Sequence, residues 1–240
     1  HVHFWDPHTP YRAPESFGNP FADEPLPAPW ITEEVFSEHL MHVGPHSANE
    51  IAMWDDSTSP QFPRHPGRLE NMADMKDMID QYDCGVRYTD DNIAQILDLL
   101  KKKGLYGDDL AVIITSDHGE NMGELGIYGE HATADEPTCH IPMIIKWPGA
   151  KKNFVARGLH DNVDLLPTVQ ELLGTKIAGN YDYDGVSYAG TLLEGEAPER
   201  AWCSPSAAMS ASAAPGLGIT SMCAQYTEAI ICFPGRCCST

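Results

Sequence analysis

Positive charge is scarce in this sequence: fifteen lysines and arginines stand against thirty-five aspartates and glutamates, for a formal net charge of -20. Such a balance repels a phosphate backbone and argues against nucleic acid as a partner. It also slows the approach of an anionic substrate unless a metal and a few cations reverse the field locally. Long apolar runs are missing too. No stretch approaches the roughly 20 residues that crossing a bilayer takes, so no membrane partner is expected. Cysteine is sparse through the first two hundred residues, where Cys84 and Cys139 stand alone and suggest no disulfide framework. An initiating methionine and an apolar export segment are also lacking. Because HVHFWDPHTPY already reads as a strand end running into a turn, the sequence is expected to have lost its beginning, and the compartment stays open.

The stretch Ala111 to His131 organises the rest. Ala111 to Thr115 is a short apolar, β-branched run of the kind a buried strand uses, and it stops at Ser116-Asp117-His118-Gly119-Glu120. Polar and turn-forming residues therefore fall at the carboxyl end of a strand, the edge where open α/β sheets bind ligands. In a regular strand Asp117 and His118 would face opposite ways, whereas a turn at Gly119 lets both converge on one ion. Locally two readings stand side by side: a metal-binding pair, or an aspartate that caps a helix beside a surface histidine.

Around this stretch, strand and helix signals alternate. Trp5 to Tyr11 is a turn in which two prolines frame His8, a rigid mount for a histidine that must point at something or merely bonds across its own turn. Arg12 to Pro29 reads as a long loop, Trp30 to Ala52 has weak helical patterning, and 55–66 is irregular. Loops this long beside a catalytic edge often build the substrate pocket. His39, His42, His46 and His65 lie here without ligand-like spacing and are taken as surface. Leu69 to Lys103 carries apolar residues at three- and four-residue steps, from Met72, Met75 and Met78 to Leu100, and closes on three lysines and Gly104, a helix with its stop. His140 to Lys146 predicts a second buried strand. Asp161 to Leu173 predicts a helix with acidic N-terminal residues and Gly174 as its end.

In order, HFWDPHTPYRAP, the long helix ending LLKKKGL, TSDHGENMGELG, HIPMIIKWPG, DLLPTVQELLG and DGVSY resemble the second half of the sulfatases of the alkaline phosphatase superfamily, over about the first two hundred residues. The resemblance implies an α/β, alkaline-phosphatase-like sandwich, a largely parallel sheet flanked by helices, here incomplete. It implies a metal at the carboxyl edge of the sheet held by Asp117 and His118. Calcium is the usual ion, with manganese or zinc left open by the imidazole. His8 matches the histidine that contacts the sulfate and assists the leaving alcohol. Many members place a lysine before the I-P strand to hold the sulfate; here the comparable place reads Gly129-Glu130-His131, and His131 is the better stand-in because Glu130 would repel that group.

The family's nucleophile is a formylglycine made from cysteine or serine in a C-x-P-x-R motif. That motif and paired metal aspartates belong to an N-terminal half expected to be missing, so the chain alone is expected to be inactive. Cys203-Ser204-Pro205-Ser206-Ala207 imitates the motif with alanine in place of arginine and is read as accident. Residues 1–200 are thus expected to form a partial catalytic domain for a small-molecule or carbohydrate sulfate ester. Residues 201–240, cysteine-rich and aperiodic, are read as a frameshift product with no native role. Two other readings stay in play: a phosphonate or phosphate mono- or diesterase of the same fold, and a non-enzymatic acidic interaction protein.

Overall fold

In the computed structural model, residues 1–51, 59–156, 158–175 and 182–195 are described, together with the backbone of 229–230. The elements in chain order are α1 (Glu33–His39), α2 (Met72–Lys102), β1 (Val112–Thr115), β2 (Asn121–Met122), β3 (Tyr128–Glu130), α3 (Glu136–Cys139), β4 (Met143–Lys146), β5 (Val155–Ala156), α4 (Leu165–Leu173), α5 (Ala189–Glu194) and β6 (Ala229–Ile230). The chain divides into two compact units, His1–Gly104 with Glu120–Glu130, and Leu105–Gly119 with His131–Thr240. Among the described residues no helix is long and apolar enough to cross a membrane.

In the first unit α2 forms because its apolar residues recur at helical spacing and both ends are capped. The Asn71 side chain accepts from the Ala73 and Asp74 amides, and Gly104 leaves the helix with a φ of +72° that only glycine adopts without strain. The methionine stripe is core: Met75, Met78 and Ile79 pack with Tyr11, Ile31, Phe36, Ile51, Leu69 and Tyr128. α1 is a seven-residue helix capped by Thr32, shorter than the weak pattern over Trp30 to Ala52 implied. β2 and β3 pair antiparallel. The strand end read into Val2 to Phe4 is not formed, since those residues carry no regular structure.

The second unit holds the sheet, in the order β1-β4-β6-β5. β1 and β4 run antiparallel, with Val112 opposite Lys146 and Thr115 opposite Met143, while β4 and β6 are parallel and β5 and β6 antiparallel. The α/β character is as expected, but these strands do not make a largely parallel array. A parallel return needs a crossover, usually a helix, and between β1 and β4 the second unit has only the four-residue α3. Met143, Ile145, Ala156, Tyr188 and Leu192 form its core. A reciprocal capping box between Asp161 and Asp164 closes the short 3-10 turn Asn162–Asp164 that leads into α4, which ends at Gly174, φ +63°. Of residues 201–240, Ala229–Ile230 supply β6, and the rest of the expected tail lies outside the described residues.

Candidate active site

The Asp117 loop is fixed by the backbone on both sides. The Thr115 hydroxyl donates to the Pro142 carbonyl at 2.8 Å, the Gly119 amide to the Thr138 carbonyl at 2.7 Å, and the Asn162 side-chain amide to the Asp117 carbonyl at 3.1 Å. Gly119 is required by this approach: a Cβ there would fall inside the van der Waals envelope of the Pro137 carbonyl oxygen. The glycine thus sets how close the loop comes to α3.

On that loop the Asp117 carboxylate is 80% exposed, and the His118 ring is mostly buried at 20%. His118 Nδ1 lies 2.9 Å from the Gly119 carbonyl oxygen, which only accepts, so Nδ1 carries the proton and Nε2 keeps its lone pair. Nε2 and Asp117 Oδ1 are 3.8 Å apart. Two neighbouring ligands of one cation, each about 2.0–2.6 Å from it, stand roughly 3–4 Å apart. An imidazole whose second nitrogen is tied to a carbonyl is the usual arrangement of a metal-ligating histidine. The donor set therefore fits a divalent cation. His131 stacks on His118, ring centroids 4.2 Å apart and planes within 13°. The second unit thus brings Asp117, His118 and His131 together.

His8 belongs to the first unit. Its ring stacks on Trp5 at 4.6 Å, and Nδ1 donates to the Thr9 carbonyl at 2.6 Å, so Nε2 is its lone-pair nitrogen when neutral. Both prolyl bonds of the turn, Asp6-Pro7 and Thr9-Pro10, are cis. Gly85 of α2 lies under Pro7, and Thr89 donates to the Asp6 carbonyl at 3.4 Å.

Two histidines taken as surface are not. His65 is 1% exposed, and burial pushes its imidazole down to about 4, so it is neutral in the fold. His46 pairs with Glu130, Nε2 to Oε2 at 2.9 Å. Glu130 is thus engaged within the first unit, while His131 stacks on His118 in the second. Sequence reading also passed over Cys232-Phe233-Pro234-Gly235-Arg236, which satisfies C-x-P-x-R. It lies after the S-D-H-G segment and outside the described residues.

Residues 1–175 match the family model "Sulfatase", and the chain belongs to that family. It is similar to choline-sulfatase of Rhizobium meliloti (strain 1021), 28% identical over 191 residues, 78% of this chain and 33% of that protein. It is also similar to the multifunctional alkaline phosphatase superfamily protein PehA of Trinickia caryophylli, 27% identical over 177 residues, 72% of this chain and 34% of the relative. The phosphonate monoester hydrolase SpPMH of Silicibacter pomeroyi shares the fold, with a TM-score of 0.58 and 24% identity over 82% of this chain and 37% of that one. The chain spans about a third of the length of these relatives.

Proposed function

We propose that this chain is one wall of a sulfuric ester hydrolase whose cation is held by Asp117 and His118. The observation that carries the reading is the His118 imidazole, with Nδ1 committed to the Gly119 carbonyl and Nε2 3.8 Å from the Asp117 carboxylate. When bound, a hard divalent cation, calcium first and manganese or zinc next, neutralises sulfate oxygens and favours an ionised nucleophile. The nucleophile this reading calls for is a formylglycine of the C-x-P-x-R type. Asp117 supplies the charge that holds the ion, and the Gly119 carbonyl keeps the His118 lone pair aimed outward. His131 offers the sulfate a hydrogen bond, and its stacking on His118 limits its rotation. His8 carries the proton for the departing alcohol at Nε2, because Nδ1 is held by Thr9.

Choline-sulfatase among the relatives favours a small sulfate ester as substrate. The likeness to PehA, named as multifunctional, supports a second reading, hydrolysis of phosphonate or phosphate esters at the same residues. The test uses protein from the full coding sequence, assayed on 4-nitrophenyl sulfate, choline sulfate and phenyl phosphonate esters. Sulfate ester turnover abolished by Asp117→Asn and by His118→Ala is expected. Turnover of phosphonate alone moves the assignment to the second reading, and turnover indifferent to both substitutions removes the site.

A further inference from the structure

Beneath the His8 turn, within the first unit, lies a buried polar cluster that the proposed reaction does not use. Tyr11 is fully buried, yet its backbone is left-handed at φ +54°, where a bulky residue persists only if its surroundings hold it. Two things hold it. The Tyr11 amide donates to the His8 carbonyl at 3.1 Å, closing the turn, and the Tyr11 hydroxyl donates to Glu120 Oε2 at 3.1 Å, in a region where Glu120 is only 9% exposed. A hydrogen bond to a carboxylate is stronger than one between neutral groups, and burial strengthens it further. Burial, and after it the Glu120 charge, hold the Tyr11 hydroxyl well above its ordinary pKa, so it remains a donor. Tyr82 meets the Tyr11 ring edge-on at 5.3 Å, and the same two causes push it up to about 12. From the other side, the His65 amide donates to the Pro10 carbonyl at 3.2 Å, and the His65 ring lies 5.1 Å from that of Tyr11.

We propose that Glu120 is a positioning residue for His8, acting through the Tyr11 hydroxyl to hold the His8–Tyr11 turn in its left-handed exit. The inference rests on the reading of His8 as the proton carrier. It also gives Glu120, which directly follows Gly119, a task distinct from metal binding. Glu120 touches no reacting atom; its effect passes through one hydrogen bond and one turn. Misplacing a proton carrier by about 1 Å costs on the order of 100-fold in rate without changing what binds.

The experiment compares Tyr11→Phe, Glu120→Ala, Glu120→Gln and the double Tyr11→Phe/Glu120→Ala in protein from the full coding sequence. kcat and KM are read on 4-nitrophenyl sulfate, and the His8 ring nitrogens by long-range ¹H–¹⁵N spectra. Tyr11→Phe removes one oxygen and leaves the fold, checked by near-ultraviolet circular dichroism. It and Glu120→Ala each lower kcat about 10- to 100-fold with KM moved less than about 3-fold. The double variant is no worse than the poorer single by more than about 3-fold, because both break one link. Glu120→Gln keeps an oxygen acceptor in place and recovers most of the rate. The His8 signal loses its single Nδ1–H form in the two damaging variants. Unchanged kcat and an unchanged His8 signal in Tyr11→Phe overturn the proposal, as do losses that multiply in the double. If the unaltered protein turns over no sulfate ester, the proposed activity falls, and the His8 signal alone decides whether Glu120 positions the ring.

Discussion

His65 in the first unit and His118 in the second use the same local device. Each ring donates Nδ1–H to the carbonyl of the next residue, Pro66 at 2.6 Å and Gly119 at 2.9 Å, which leaves Nε2 as the acceptor. What differs is the surroundings of Nε2. In His65 it lies 3.4 Å from the Thr9 hydroxyl in a ring that is 1% exposed; in His118 it lies 3.8 Å from a carboxylate that is 80% exposed. The first is a neutral strut, and the second, on the proposed function, is a metal ligand. A histidine's role here is decided by what its second nitrogen meets, because the first is spent locally in both.

The comparison breaks most violently at the glycine that shapes one side of it. Gly119→Ala drives a Cβ into the Pro137 carbonyl and is expected to cost about 3 kcal/mol or more. Gly185→Ala makes the same kind of clash with the Val163 carbonyl. Both variants should lose a comparable amount in denaturant unfolding, and only Gly119→Ala should also lose the cation; a silent Gly119→Ala refutes the loop geometry.

The next effect separates strut from ligand by pH. The folded His65 imidazole titrates at about 4, below its unfolded value near 6.5, so the unfolded chain binds the proton first as pH falls. Stability is therefore undiminished above about pH 6.5 and is lost progressively down to about pH 4, by about 2 kcal/mol between pH 7 and pH 5. His65→Gln flattens that slope in urea titrations, whatever its cost at pH 7. An unaltered slope would place the burial penalty elsewhere.

Smaller still is the effect of Asp117→Asn, whose exposed side chain makes it near neutral for the metal-free fold. It should weaken cation binding at least about 10-fold, or about 1.4 kcal/mol, in calorimetric titration. Chelation should then lower the melting temperature of the unaltered protein and leave that of the variant where it was. At the bottom of the scale, Arg87→Ala removes an exposed helical pair with Asp91 at 3.1 Å. It should change stability by about 0.3–0.5 kcal/mol and leave cation affinity alone.

Much of this was legible from residue order, and the rest fails for identifiable reasons. The helix over Met72–Lys102 and the strands at Val112–Thr115 and Met143–Lys146 announce themselves by period and by caps, which are local properties. Strand direction is not local: it depends on the connection, and the short α3 returns the chain antiparallel. Asp117, His118 and His131 could be named from the order of segments, and Gly119 from the need for a turn. His65 could not, because nothing in DDSTSPQFPRHP marks a residue that packs between Pro10 and the Tyr11 ring. The Tyr11–Glu120 bond, between residues 109 apart in sequence, has no sequence signature at all.

The central claim is that Asp117 and His118 share one cation, and diffraction from crystals soaked in manganese reads it most directly. The account predicts an anomalous peak contacting both the Asp117 carboxylate and His118 Nε2, with His118 Nδ1 still bonded to the Gly119 carbonyl. Manganese bound at neither residue, in a protein that hydrolyses sulfate esters, would contradict it.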